Sequence, residues 1–215
     1  MHRTILRLSL VCLLSSMAFA ADDGGFTPLF NGKDLKGWKF VINGKPGEAG
    51  STFTVKDGAI VISGKPNGYL VTERSIGNST IKYDWKYVRP EKLEDEEKFT
   101  GNSGLLIHIQ GLPEKGVWPV CIEIQGQNKN HGAILNVSGA KGGPYKFDAA
   151  ALKKARKPVG EWNTTETVIM DGAITVKVNG VEVASGKCEL KSGPIGFQSE
   201  GAELHIKNIL VKESK

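Results

Sequence analysis

After its first twenty residues the chain alternates short apolar runs with Gly, Asn and Asp turn signals. Asn31-Gly32, Asn43-Gly44, Asp57-Gly58, Asn67-Gly68, Asp171-Gly172 and Asn179-Gly180 each carry a pair suited to tight connections between antiparallel strands. The clearest case is Ala173 to Ala184. There Ile174, Val176 and Val178 alternate with Thr175 and Lys177, the chain turns at Asn179-Gly180, and the pattern resumes at Val181 and Val183. Further strands are predicted at Thr52 to Val55, Ala59 to Ser63, Thr80 to Val88, Gly104 to Gln110, Val120 to Gln125, Glu166 to Met170, Ile195 to Ser199 and Leu204 to Val211. About ten strands in one domain predict a two-sheet antiparallel sandwich, because a single open sheet of that size leaves a broad apolar face wet. Helix is confined to a turn or two at Ala149 to Lys157, ended by Pro158, and the charged stretch Glu91 to Lys98 reads as an exposed loop.

In such a sandwich the informative residues alternate away from the core. Along Asn102 to Gln110, Leu105, Ile107 and Ile109 point one way; Asn102, Leu106, His108 and Gln110 point the other. Along Val120 to Gln125 the outward set is Cys121, Glu123 and Gln125, with Glu123 and Gln125 about 7 Å apart on one side. Near the C-terminus Ile195 and Phe197 oppose Gln198 and Glu200. The strands holding His108 and Glu123 are consecutive, so antiparallel pairing would line one groove with their polar residues, and His131 follows on a short loop that can fold back over it. Trp118, beside Pro119 in the intervening loop, is the candidate platform for a sugar ring; the other tryptophans read as core.

The 215 residues are 40% hydrophobic and 24% charged with 27 glycines, which suits one compact domain over residues 21–215. Residues 1–20 have the form of a secretory signal peptide: His2, Arg3 and Arg7 precede the apolar run Leu8 to Leu14, and Ala18-Phe19-Ala20 supplies small residues for cleavage. The expected product is secreted or periplasmic, beginning near Ala21, with no membrane insertion. Loss of Arg3 and Arg7 leaves 26 basic against 23 acidic residues, a net charge of +3 that makes no case for a nucleic-acid partner. Cys121 and Cys188 remain after cleavage, either as a bridge or as two separate buried residues. No nucleophile elbow, P-loop, dinucleotide fingerprint or HExxH motif is present.

Several stretches, in order, resemble one bacterial family. They are "GFTPLFNGKDLKGWK", "GYLVTE", "GNSGLLIHIQG", "WPVCIEIQGQ", "GEWNTTE", "ITVKVNGVEV" and "GPIGFQSEGAELHIKNILV", spanning Gly25 to Lys212. The family is the 3-keto-disaccharide hydrolase domain, also described as 3-keto-glucoside lyase and 3-keto-glucal hydratase. The resemblance implies a concanavalin A-like jelly roll, all-β, acting on sugars whose C3 hydroxyl has been oxidised to a ketone. It carries over Asn102, Ser103, Glu123, Gln125, Glu161, Asn163, Gln198 and Glu200 as motif positions. Glu123 is the expected base or metal-holding carboxylate and His108 or His131 the proton donor. Asn102, Gln125, Trp118, Glu161, Asn163, Gln198 and Glu200 are expected to bind the sugar. A divalent cation held by Glu123 with His108 or His131 is the alternative polariser, although no spacing demands one. A noncatalytic glycan-binding jelly roll is the competing reading, because fold does not fix function.

Overall fold

The computed structural model describes residues 24–214, so the expected leader lies outside the described residues. Fifteen strands follow in chain order: β1 (Thr27–Pro28), β2 (Trp38–Ile42), β3 (Phe53–Lys56), β4 (Ala59–Ile62), β5 (Gly68–Thr72), β6 (Ser79–Tyr87), β7 (Gly104–Gln110), β8 (Val120–Gln125), β9 (Ile134–Val137), β10 (Lys146–Phe147), β11 (Asn163–Met170), β12 (Ala173–Val178), β13 (Val181–Lys187), β14 (Gly196–Ser199) and β15 (Leu204–Glu213). A single turn, α1 (Ala49–Thr52), and a short helix, α2 (Ala149–Ala155), complete the secondary structure with two 3-10 turns. The strands form a jelly-roll sandwich of two antiparallel sheets. One runs β10-β13-β12-β11-β6-β15-β4-β3 with β1 paired to β15; the other runs β2-β5-β14-β7-β8-β9. No helix among the described residues is long and apolar enough to cross a membrane.

Three of the predicted turns have their local cause in view. Lys56 pairs with Ala59, Met170 with Ala173 and Val178 with Val181, which leaves Asp57-Gly58, Asp171-Gly172 and Asn179-Gly180 as two-residue loops. Both residues of each loop have positive φ: 51° and 74°, 51° and 84°, 48° and 85°. That is the hairpin turn whose twist matches the strands it joins. In β6 the alternation is complete, with Ser79, Ile81, Tyr83, Trp85 and Tyr87 buried. The strands not foreseen include β2, β5 and β9. β5 reads Gly-Tyr-Leu-Val-Thr and β9 only Ile-Leu-Asn-Val, so neither offers a polar alternation to detect. In α2 the Asp148 carboxylate accepts the Ala151 N–H at 2.8 Å, and the helix ends two residues before the expected Lys157, where Arg156 turns extended.

The six-stranded sheet is buried on both faces. Leu70, Leu105, Ile107, Ile122, Ile124 and Phe197 join the main core between the sheets, whereas Tyr69, Leu106, Ile109 and Cys121 form a second apolar cluster on the outer face, with Trp118 packed against it. Cys188 lies in the main core and Cys121 in the second cluster; both are free thiols, so no bridge joins them.

His131 belongs to the core and not to a groove. Its ring stacks on Trp85 with centroids 3.9 Å apart, and its Nε2 lies 2.7 Å from Thr165 Oγ1. Thr165 Oγ1 already accepts the Trp85 indole N–H at 2.9 Å, so its own proton is available to His131 Nε2. Nδ1 then carries the ring proton and donates it to the Gly126 carbonyl at 3.4 Å. Full burial, with the Arg156 charge nearby, lowers the imidazole pKa to about 3 and holds it neutral.

Two predictions follow from this architecture. Gly172 and Gly180 share nearly the same φ, but a Cβ at Gly172 would lie 2.4 Å from the Cys188 carbonyl oxygen while one at Gly180 meets nothing within 4 Å. Gly180→Ala should therefore cost about 1 kcal/mol in urea unfolding, and Gly172→Ala roughly 1–2 kcal/mol more. His131 binds fewer protons folded than unfolded between pH 3 and 6.5, so its contribution is complete above pH 6.5 and is lost as the pH falls towards 3. Against the non-titrating His131→Phe, the stability of the parent protein should decline on the order of 3 kcal/mol more between pH 7 and pH 4.

Candidate functional site

The β7–β8 hairpin pairs as expected as far as Ile107, with Gly104 opposite Gln125 and Leu106 opposite Glu123. On its other side β7 pairs with β14, Leu105 facing Phe197 and Leu106 facing Gly196, which brings Gln198 level with Gly104. The outer face of the sheet can thus be read in rows. Tyr69, Gln198, Gly104 and Gln125 form one; Val71, Gly196, Leu106, Glu123 and Leu135 form the next. A further backbone bridge sets Asn102 beside Glu200, and Ser103 Oγ donates to the Gln198 carbonyl at 2.7 Å, fixing the two strands against each other.

Gly104 leaves room for its neighbours' side chains at the centre of this face. A Cβ there would lie 2.6 Å from both Glu123 Oε1 and Gln198 Oε1, and 2.9 Å from Glu123 Cγ. The Glu123 side chain therefore leans across the glycine towards Gln198. Both Oε1 atoms are buried and neither has a hydrogen-bond partner in the protein. A proton on Glu123, or an inverted Gln198 amide, would give each a partner, since amide orientation is an assignment made from the network. Burial raises the Glu123 pKa to about 7, and the Glu200 carboxylate adds to the rise while the Gln198 amide opposes it. Burial also raises the pKa of Glu200. Gln125 uses its Oε1 to accept the Gln127 N–H at 2.7 Å, which ties down the loop after β8 and leaves its amide N–H groups as donors.

Of the residues singled out from the sequence, Glu123, Gln125, Gln198, Glu200, Asn102 and Trp118 are brought to this face. Trp118 packs on Tyr69 with ring centroids 6.5 Å apart at 31°. His108 is not among them. The β7–β8 register breaks between Ile107 and Gln110, and His108 takes a φ of 54°. This bulge reverses the alternation, so that Ile109 joins Leu106 on the outer face and His108 turns to the Leu190 carbonyl, 3.1 Å from its Nδ1. Its burial lowers the imidazole pKa. Gln110 braces the bulge by donating to the His108 and Ser192 carbonyls, each at 2.9 Å.

Neither imidazole, then, reaches Glu123, and the expected acid–imidazole pair is withdrawn together with the Glu123–histidine cation site. Among the described residues no cluster of three or more His, Cys, Asp or Glu side chains could hold a metal ion. Asn163 is also otherwise engaged. Its Oδ1 accepts from the Lys157 N–H and from Asn179 Nδ2, both at 2.8 Å, and its Nδ2 donates to the Glu161 carbonyl at 3.2 Å. It is a buried brace for the loop before β11, on which Glu161 stands exposed. The residue overlooked in the sequence is Gly104. A glycine inside a strand marks a bulge or a close approach, and this one admits a carboxylate. A cleft of about 600 Å³ lies elsewhere, between Pro28–Leu29 and Thr72–Arg74, where Arg74 is already paired with Glu213.

The family described as the 3-keto-alpha-glucoside-1,2-lyase-like domain matches residues 25–212. A protein of Bacteroides thetaiotaomicron named 3-keto-disaccharide hydrolase is 24% identical over 181 residues, covering 75% of this chain and 58% of that protein, so the chain spans little more than half of its relative's length. The crystal structure of a candidate glycosyl hydrolase from Parabacteroides distasonis is 25% identical, with a TM-score of 0.61 over 89% of this chain and 95% of that one. A carbohydrate-binding module from Bacillus subtilis shares the fold at 11% identity, with a TM-score of 0.53 over 83% of this chain and 96% of that one. The family match runs through nearly every strand of both sheets, including those that hold Glu123 and Gln198, and covers Glu200. The chain belongs to the 3-keto-alpha-glucoside-1,2-lyase-like domain family.

Proposed function

We propose that this protein is an exported carbohydrate-active enzyme that cleaves 3-keto-glucosides at the Glu123 carboxyl beside Gly104. The observation that carries the proposal is the Glu123 carboxyl, buried without a counter-charge beside Gln198 and Glu200 and poised by its pKa of about 7. A base of that strength suits removal of a proton made acidic by an adjacent ketone. Family membership supplies the substrate class, and the form of residues 1–20 supplies export.

The C3 ketone acidifies the C2 proton, which passes to the Glu123 carboxylate while the C2–H electron pair forms an enolate. Amide N–H groups of Gln125 and Gln198 are suited to stabilise the enolate oxygen. The enolate then collapses, C1 and C2 become doubly bonded, and the C1–O bond breaks with its electrons on the leaving oxygen. That oxygen takes its proton from a water molecule. The hydroxide left from that water adds to C1 and the proton held by Glu123 returns to C2, releasing 3-keto-glucose, so that elimination and hydration together amount to hydrolysis. Glu123 thus keeps the role of base, and water supplies the proton expected from His108 or His131.

Two measurements test this reading. With methyl 3-keto-α-glucoside, Glu123→Gln should lower kcat/KM by about 10²–10⁴, the range for removing a general base. The parent enzyme should gain activity as the pH rises through about 7, because the base must be ionised in the free enzyme, and the variant should lack that limb. Sugar binding without turnover, undiminished in Glu123→Gln, would instead make this a noncatalytic module like the carbohydrate-binding protein that shares its fold.

A further inference from the structure

The outer face of the nine-stranded sheet lies on the opposite side of the sandwich from Glu123. There β6 is flanked by β11 and β15, and because its odd-numbered residues are buried, Lys82, Asp84 and Lys86 point outwards. Trp162, one residue before β11, is partly exposed on this side, and two ammonium groups lie against its ring. Lys86 Nζ is 5.0 Å and Lys207 Nζ 4.2 Å from the ring centroid. The carboxylate nearest in register is Asp84, the cross-strand neighbour of Lys207. It is already occupied. Its Oδ1 accepts the Thr164 hydroxyl at 2.6 Å and its Oδ2 the Asn208 amide at 2.7 Å. Neither Lys86 nor Lys207 forms an ion pair with any carboxylate of the described residues, exposed Glu161 included. About 7 Å further along β11 on the same face, Thr164 lines a cavity of about 270 Å³ with Lys82, Glu166 and the Asn179-Gly180 turn. Glu166 is paired with Lys177 at 3.8 Å, which leaves Lys82 as the unpaired charge of that cavity.

We propose that Trp162, Lys86 and Lys207 form a second glycan-binding site, which takes an acidic sugar with its carboxylate or sulfate against the two ammonium groups and the next unit of the chain in the cavity at Thr164. The site goes beyond the proposed reaction and does not depend on it. Because the two sites lie on opposite sheets, a polysaccharide held at Trp162 leaves the Glu123 face open.

Three observations support the assignment. The first is charge. Two cations drawn to one ring repel each other, and the negative π-face offsets only part of that repulsion. An anion offsets the rest, through charge-assisted hydrogen bonds to both ammonium groups. The second is the indole itself. A bare inorganic anion needs only the lysines, whereas a sugar also has an apolar C–H face, and a partly exposed tryptophan offers a surface for it. The third is rigidity. The Asn163 side chain accepts the Lys157 N–H and an Asn179 amide proton, and the Thr164 N–H donates to Asn179 Oδ1, each at 2.8 Å. The backbone on either side of the Trp162–Thr164 stretch is therefore fixed before a ligand arrives, which lowers the ordering cost of binding.

Calorimetry at low salt with four probes tests the site. Tetragalacturonate supplies carboxylates, a κ-carrageenan tetrasaccharide supplies sulfates, maltotetraose is neutral, and tripolyphosphate is an anion without a sugar. At least one acidic tetrasaccharide should bind about tenfold or more tightly than both maltotetraose and tripolyphosphate, and which one does so names the anionic group. Trp162→Ala should weaken that binding about tenfold. Lys86→Gln combined with Lys207→Gln should reduce it to the level of maltotetraose, and arginine at both positions should retain most of it, with thermal melts confirming that each variant folds. Glu123→Gln should bind the acidic tetrasaccharide as the parent does, which separates this site from the proposed catalytic one. Neither acidic ligand preferred over maltotetraose would overturn the proposal. So would tripolyphosphate binding equally well, affinity unchanged in Trp162→Ala, or affinity lost in Glu123→Gln.

Discussion

A carboxylate on the surface of a β-sheet normally keeps its water, and Glu123 does not. The missing Cβ of Gly104 lets its side chain lie flat across the neighbouring strand, where it loses solvent and acquires an amide and a second carboxylate for company. Burial and the Glu200 charge disfavour the ionised form, so the group becomes a base of near-neutral strength. The pairing of β7 with both β8 and β14 is what makes this geometry reproducible. Side chains from the two outer strands can meet only if the central one has no side chain at the crossing point.

The second cluster on the outer face serves that same end. A six-stranded sheet with one wet face would leave Glu123 in high dielectric. Here Tyr69, Leu106, Ile109 and Cys121 are buried on that face beneath Trp118, and the carboxylate stands at the edge of a dry patch. The energetic demand of burying a charge is met by proton uptake and not by an ion pair, which leaves the group chemically available.

Much of the sheet architecture is legible in the sequence. Three of the Asn-Gly and Asp-Gly pairs sit at two-residue hairpin turns, and the alternation in β6, β7, β8 and β12 marked buried faces, because period-two patterns and positive-φ turns are local properties. β5, Gly-Tyr-Leu-Val-Thr, and β9, Ile-Leu-Asn-Val, carry no regular alternation of polar and apolar residues to detect. The site was half legible. Glu123, Gln125, Gln198 and Glu200 follow from counting outward positions, whereas the histidines were misplaced for a specific reason: one extra residue at the bulge inverts every position after Ile107, and no composition rule announces a histidine at φ 54°. His131 was misread because a loop residue can turn inward as readily as outward, and only the indole of Trp85 and the hydroxyl of Thr165 decide which.

The two thiols lie in separate hydrophobic clusters, one in the main core and one on the outer face of the six-stranded sheet. Disulfide exchange proceeds through the thiolate, and with the Cys121 pKa raised to about 12 its ionised fraction at neutral pH is of the order of one in 10⁵. A chain that met an oxidising compartment after folding would present neither cysteine to an oxidant or to a glutathione mixed disulfide. Its maturation would then depend on how quickly the sandwich closes over those sulfurs and not on any enzyme that makes or reshuffles cross-links.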